Sequence, residues 1–183
     1  MIIGIAGTDG SGKGTVVDHL VKNYGFAHYS SRAIILEHIN AFGLPDTRAQ
    51  MRLSANELRA KHGNDFLVTQ ALKRMQRDGV HNAIIESIRA TAEANTLKSH
   101  GGILLAVDAN QELRYERVQA RRSETDRVSF EQFVAHEELE KNDPDPHGMQ
   151  KGKVIEMADY TIMNDGTIEE LHQAVDAFMQ KYL

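Results

Sequence analysis

Along the chain, short runs of apolar and β-branched residues recur between longer stretches in which apolar positions return every three or four residues. The runs are Ile2–Ala6, Ala83–Ile85, Ile103–Val107 and Tyr160–Met163, with a less regular one at Phe26–Tyr29. Short, continuously apolar segments read as strands buried on both faces, the situation of a parallel sheet. The helical stretches are Gly14–Tyr24, Ala55–Arg77, Gln111–Arg122 and Ile168–Tyr182. Strands alternating with helices predict βαβ units, and so an α/β fold whose parallel sheet is covered by helices on both faces.

Some helix starts are written locally. Thr167 followed by Glu170, and Ser129 followed by Gln132, have capping-box spacing and predict helices that begin at those points. Two stretches depart from the strand–helix alternation. Residues 31–79 hold about three helical segments and no strand, an insertion between the second and third strands. Residues 121–150 are charge-rich and end in Asn142-Asp143-Pro144-Asp145-Pro146-His147-Gly148, where two prolines and a glycine stop any helix. Both are expected to form covers over a site, the second a lid-like segment.

With 183 residues, 41% hydrophobic and 26% charged, the chain suits a single globular domain spanning 1–183. Its formal net charge of -5 disfavours a nucleic-acid polymer as partner, because no basic field draws the phosphate backbone. No apolar stretch approaches the roughly 20 residues of a spanning helix, so no membrane is expected. Absence of cysteine removes disulfides and thiolate metal sites, in keeping with a cytoplasmic address. Monomer and homodimer remain equally open.

The chemistry concentrates directly after the first strand, in Gly7-Thr8-Asp9-Gly10-Ser11-Gly12-Lys13-Gly14-Thr15. Glycines let successive N–H groups turn toward one anion, a helix N-terminus adds positive potential, and Lys13 neutralises phosphate oxygens. Gly10, Ser11, Gly12, Lys13, Gly14 and Thr15 are therefore expected to bind the phosphates of a nucleotide. The hydroxyl that ordinarily follows the lysine is displaced by one position, from Gly14 to Thr15.

The Gly-Lys-Gly-Thr ending resembles the adenylate kinase group of nucleoside monophosphate kinases. The resemblance implies a three-layer P-loop NTPase fold with a five-stranded parallel sheet, ATP and Mg2+ as cofactors, and Thr15 in the magnesium shell; alternatively Thr15 is an ordinary first-turn residue. Asp-Gly-Ser-Gly-Lys resembles thymidylate kinase loops, which would turn Asp9 toward the acceptor's sugar; its plain alternative is a loop-stiffening hydrogen bond. Glu86-Ser87-Ile88-Arg89 closes the third strand and resembles the Asp-Gly-x-x-Arg stretch of these kinases. That likeness gives Glu86 a role toward magnesium or its water and Arg89 one toward the acceptor phosphate, with Glu in place of Asp and Ser87 in place of Gly. Ligands of open α/β sheets collect at this edge.

On the acceptor side, Ser31 is a candidate helix cap and substrate contact, and Arg32 either meets an acceptor phosphate or lies solvated on its helix. Ser54 to Gly63, with its Glu57-Leu58-Arg59, resembles a small archaeal and bacterial kinase-like family related to dephospho-CoA kinases and phage deoxynucleotide kinases, in which Arg59 would contact the acceptor; the alternative is a plain helix arginine paired with a neighbour. Arg117 and Arg121, four apart on one helical face, resemble the lid-entry arginines that stabilise the moving phosphoryl group; a solvated charged face is the alternative. Asn164 and Gly166, in the turn after the last strand, would by the same likeness lie beside the donor base. The expected activity is ATP-dependent phosphoryl transfer to a small phosphorylated acceptor, a nucleoside or deoxynucleoside monophosphate, with dephospho-CoA kinase and a nucleotide-binding regulatory ATPase as alternatives.

Overall fold

The structure, a computed structural model, describes residues 1–120 and 128–183. It begins with β1 (Ile2–Gly7), α1 (Lys13–Tyr24) and β2 (Ala27–Ser30). Three helices follow, α2 (Ser31–Ala41), α3 (Arg48–His62) and α4 (Phe66–Arg77), before β3 (Ala83–Glu86) and α5 (Thr91–Ser99). The chain continues through β4 (Ile103–Asp108), α6 (Gln111–Ala120), α7 (Phe130–Lys141), α8 (Lys151–Glu156), β5 (Tyr160–Met163) and α9 (Ile168–Tyr182).

The five strands form one sheet in the order β2-β3-β1-β4-β5, with every neighbouring pair parallel. The apolar runs form it because each strand is sealed on two faces, leaving no place for polar alternation. One face packs Ile34, Ile39, Leu58, Val68, Ile85 and Leu97 beneath the inserted helices and α5. The other packs Ile3, Ile5, Leu20, Ile84, Val107 and Phe178 against α1 and α9. The result is a three-layer α/β sandwich around an all-parallel sheet. Among the described residues no helix is long and apolar enough to cross a membrane.

Both capping boxes form: Thr167 accepts from the Glu170 amide, and Ser129 from the Gln132 amide. The single helical pattern expected over Ala55–Arg77 is broken at Gly63, whose φ of 107° ends α3. Ser31 is not a cap: Ser30 holds the extended N-cap position, and Ser31 is the first helical residue of α2. The short helices α5 and α8 have no separate signal in the hydrophobic pattern, since tertiary packing, not periodicity, holds segments this brief.

The segment after α7 turns back and docks on α3. Arg52 pairs with Asp143 at 3.0 Å, Asn56 donates to Asp145 at 2.9 Å, and Gln150 N–H donates to the Arg89 carbonyl at 2.8 Å. The proline-rich turn thereby becomes a wall beside the carboxyl edge of the sheet.

Candidate phosphoryl-transfer site

The loop between β1 and α1 takes its shape from its glycines. Gly7, Gly10 and Gly12 have φ of 139°, 80° and 97°, values that disfavour side chains. A Cβ at Gly7 would lie 2.0 Å from the Val107 carbonyl oxygen, and one at Gly12 would lie 2.4 Å from Asn164 Nδ2. Gly14 meets nothing within 4 Å, so no packing demands glycine there. The N-cap of α1 is Gly12, which has no side chain to bond the first-turn amides. Those amides are left to an anion, as the sequence pattern requires.

The loop is braced from three sides. Ser11, fully buried, donates its hydroxyl to the Thr8 carbonyl at 2.8 Å. Lys13 Nζ donates to that same carbonyl. Asn164 Nδ2 donates to the Ser11 carbonyl at 2.9 Å, and Thr8 Oγ1 to Asp108 at the end of β4. Arg117 donates to the Asn164 carbonyl at 2.8 Å. Asn164 and Arg117 therefore stand behind the loop as its supports, while Gly166 lies exposed against Glu170. Arg121 lies outside the described residues.

Burial pulls the Lys13 ammonium down to about 8, against the opposing pull of Asp9. Lys151 and Arg89 push it the same way as burial. A lysine so crowded by cations gains its proton fully when phosphate charge arrives.

Glu86 ends β3, in register with Ile5 of β1 and Ser30 of β2. The His28 ring nitrogen lies 3.0 Å from its carboxylate, and this hydrogen bond holds Glu86 below the usual carboxylate range against its burial. A single carboxylate and the free hydroxyl of Thr15 suit a magnesium ion whose remaining ligands are water and phosphate oxygen. Among the described residues no group of three His, Asp or Glu forms a protein-only metal cage. A cradle kept open by glycine fits nucleotide phosphates, and Thr15 in the first turn of α1 and Glu86 at the end of β3 are the groups suited to a magnesium ion.

Beside the loop opens a cavity of about 420 Å³. Ile35, Met51, Ala55 and Leu67 make its apolar side, and Asp9, Ser31, Ser87 and five arginines its polar side. Four of those arginines are matched by carboxylates. Arg32 faces Asp46 at 3.4 Å, Arg52 faces Asp143, and Arg59 is sealed against Glu93 at 2.9 Å with exposures of 1% and 0%. Arg48 sits 2.6 Å from Asp9 and 2.7 Å from Glu140. Arg89 differs: among the described residues its guanidinium has only the Met149 sulfur in range, at 3.6 Å.

Asp9, Arg48, Glu140 and Lys151 close into a ring. Lys151 reaches Asp9 at 3.1 Å and also contacts Glu140. Burial pushes Asp9 up, but Lys151, Lys13, Arg89 and Arg48 together hold it well below the usual range. Glu140 borders this cavity and a second one of about 330 Å³ next to Thr8, Asp108 and Arg114.

The sequence pointed to Asp9, Arg32, Arg59 and Arg89, and the structure brings all four to one cavity. It did not point to Arg48, Glu140 or Lys151. No motif carries them, and their only signal is charge beside the turn-rich segments that flank them.

A family model described as an AAA domain matches residues 3–145. A UPF0200 protein of Methanoculleus marisnigri is 28% identical over 180 residues, covering 97% of this chain and 94% of that relative. TT1252 from Thermus thermophilus superposes with a TM-score of 0.63 at 22% identity, over 100% of this chain and 98% of its own. Shikimate kinase from Bacteroides thetaiotaomicron gives 0.64 at 11% identity, over 98% of each. Those two structures speak for the fold. Together with the glycine cradle and the all-parallel sheet, the matches show that the chain belongs to the AAA domain family, within the P-loop kinase-like superfamily.

Proposed function

We propose that the protein transfers the γ-phosphoryl group of ATP to a small phosphorylated acceptor, a nucleoside or deoxynucleoside monophosphate. The supporting observation is Arg89. Its guanidinium lines the acceptor cavity without a carboxylate partner among the described residues, while the other four arginines are already paired. Asp9, Glu86 and Glu140 feel its charge, but none of them hydrogen-bonds it, so its planar fork is open to a phosphate.

In this reading Lys13 and the amides of Gly10 to Thr15 hold the donor phosphates. Thr15 and Glu86 would hold a magnesium ion, which would supply neutralisation of phosphate charge. Arg89 fixes the acceptor phosphate, and the apolar side of the cavity takes the base. Asp9, tethered by Arg48 and Lys151, stands between donor and acceptor where it can accept a hydrogen bond from the acceptor's sugar. Arg117 acts through Asn164 on the loop. Transfer then needs positioning and charge neutralisation, with no covalent enzyme intermediate. The address is cytoplasmic.

The test is ADP release from ATP and magnesium across ribo- and deoxynucleoside monophosphates, dephospho-CoA, shikimate and a no-acceptor control. Turnover with a monophosphate supports the reading and names the acceptor. Turnover confined to dephospho-CoA or shikimate replaces it, and acceptor-independent hydrolysis alone turns the protein into a regulatory ATPase.

A further inference from the structure

Ser87 is the one non-glycine residue with positive φ among the described residues, at 71°. That left-handed conformation strains a residue with a Cβ. It persists because the chain on either side is pinned. The Ile88 amide donates to the Ile5 carbonyl at 3.1 Å, and the Arg89 and Ala90 amides donate to Glu93 at 2.8 and 3.0 Å. Glu93 is itself locked by Arg59, and the Arg89 carbonyl accepts from Gln150. Glycine would make the same turn without strain, so turning the chain does not explain a serine.

Its side chain does something else. Ser87 lines the acceptor cavity, and its hydroxyl has no hydrogen-bond partner among the described residues. Ser31 and Ser87 each follow a member of the last registered pair, Ser30 and Glu86, where β2 and β3 end. Ser31 lines the same cavity at 1% exposure, and its buried hydroxyl is likewise unpartnered. Buried polar atoms are normally satisfied, and leaving one bare is costly. The bare, buried hydroxyl of Ser31 and the half-exposed Ser87, on its strained turn, line the same cavity as Arg89.

We propose that Ser87 is a specificity-determining contact: its hydroxyl donates to a phosphate oxygen of the acceptor held by Arg89. The inference rests on the monophosphate reading above. An acceptor without an anionic group near Arg89 leaves the hydroxyl bare and binds less tightly.

The experiment measures calorimetric binding of AMP, CMP, GMP, UMP and dTMP to the protein saturated with MgADP, with thermal unfolding in parallel. Ser87→Ala and Ser87→Gly are compared with wild type. Both variants are expected to weaken the best monophosphate about tenfold, as loss of a hydrogen bond to a charged group does. MgADP affinity stays unchanged. Ser87→Gly is expected to raise the unfolding temperature while Ser87→Ala does not, because only glycine relieves the backbone. Loss of affinity from a protein made more stable cannot come from damage to the fold. Monophosphate binding by wild type that both variants retain overturns the role of Ser87 alone. Wild type that binds no monophosphate overturns the monophosphate reading and this inference with it.

Discussion

Asn164, one residue past β5, donates its side-chain amide to the carbonyl of Ser11, 2.9 Å away in the phosphate loop and 153 residues earlier in the chain. The strand edge at one end of the protein thus sets the shape of the loop at the other. Asn164→Ala leaves the carbonyl of a fully buried residue bare, which costs about 1–3 kcal/mol of stability. We expect weaker MgATP binding as well, because the loop loses its brace. Urea unfolding and nucleotide titration of the variant check the two effects separately. A variant with native stability and native affinity removes Asn164 from the support.

The buried pair Arg59–Glu93 joins the inserted helices to the turn that carries Arg89. Removing one partner strands a charge with almost no solvent access. Arg59→Met or Glu93→Gln is expected to cost about 3–5 kcal/mol, and the double variant less than the sum of the two. The double-mutant cycle measured by denaturant unfolding reads this coupling. Additive losses count against the pair as a unit.

Lys13 gives a pH signature. With its ammonium pulled down to about 8, the nucleotide-free protein is partly deprotonated there, and phosphate binding restores the proton. Calorimetry of MgATP binding at about pH 8, in buffers of different ionisation enthalpy, is expected to show uptake of about half a proton. The uptake disappears in Lys13→Met. For folding alone the sign is opposite to that of a paired lysine. The folded state binds fewer protons than the unfolded state between about 8 and the ordinary 10.5, so Lys13 costs stability below that window and the cost is relieved as pH rises through it.

The ring of Asp9, Arg48, Glu140 and Lys151 predicts a pH-dependent penalty. Lys151 is the leading favourable charge on both carboxylates. Both carboxyls sit below their ordinary range in the folded protein, so their stabilisation is present above that range and fades as pH falls through the folded values. Lys151→Met leaves two acids facing each other with their leading positive charge gone. The stability gap between wild type and variant is expected to be wide at about pH 7 and to close as pH falls below the ordinary carboxylate range of about 4. A gap independent of pH would mean that Lys151 contributes packing and not charge.

Much of the fold was legible because its signals are local. Ile2–Ala6 runs straight into the glycine loop, and Thr167–Glu170 writes a helix start within four residues. The helices α5 and α8 were not legible, being too short for periodicity and held by neighbours. At the site, the phosphate loop is contiguous, but the partners that tune it are not. Arg48 and Glu140 are 92 residues apart, and Asp9 and Lys151 are 142 apart, so nothing in either neighbourhood announces the ring. Nor does sequence reveal which arginine is free. Arg59 and Arg89 look alike in the chain, and only the fold supplies Glu93 to one and, among the described residues, leaves the other hydrogen-bonded to a sulfur and to no carboxylate.

The most direct measurement follows the terminal phosphate itself. ATP labelled in its γ-phosphoryl group is incubated with magnesium and each monophosphate, with wild type, Lys13→Ala and Arg89→Ala. The account predicts label on one monophosphate with wild type and none with Lys13→Ala, which keeps a folded circular-dichroism spectrum. For Arg89→Ala it predicts an acceptor KM raised about tenfold or more at nearly unchanged ATP KM. Label that stays on ATP or appears only as free phosphate, or equal KM effects of Arg89→Ala on both substrates, would contradict it.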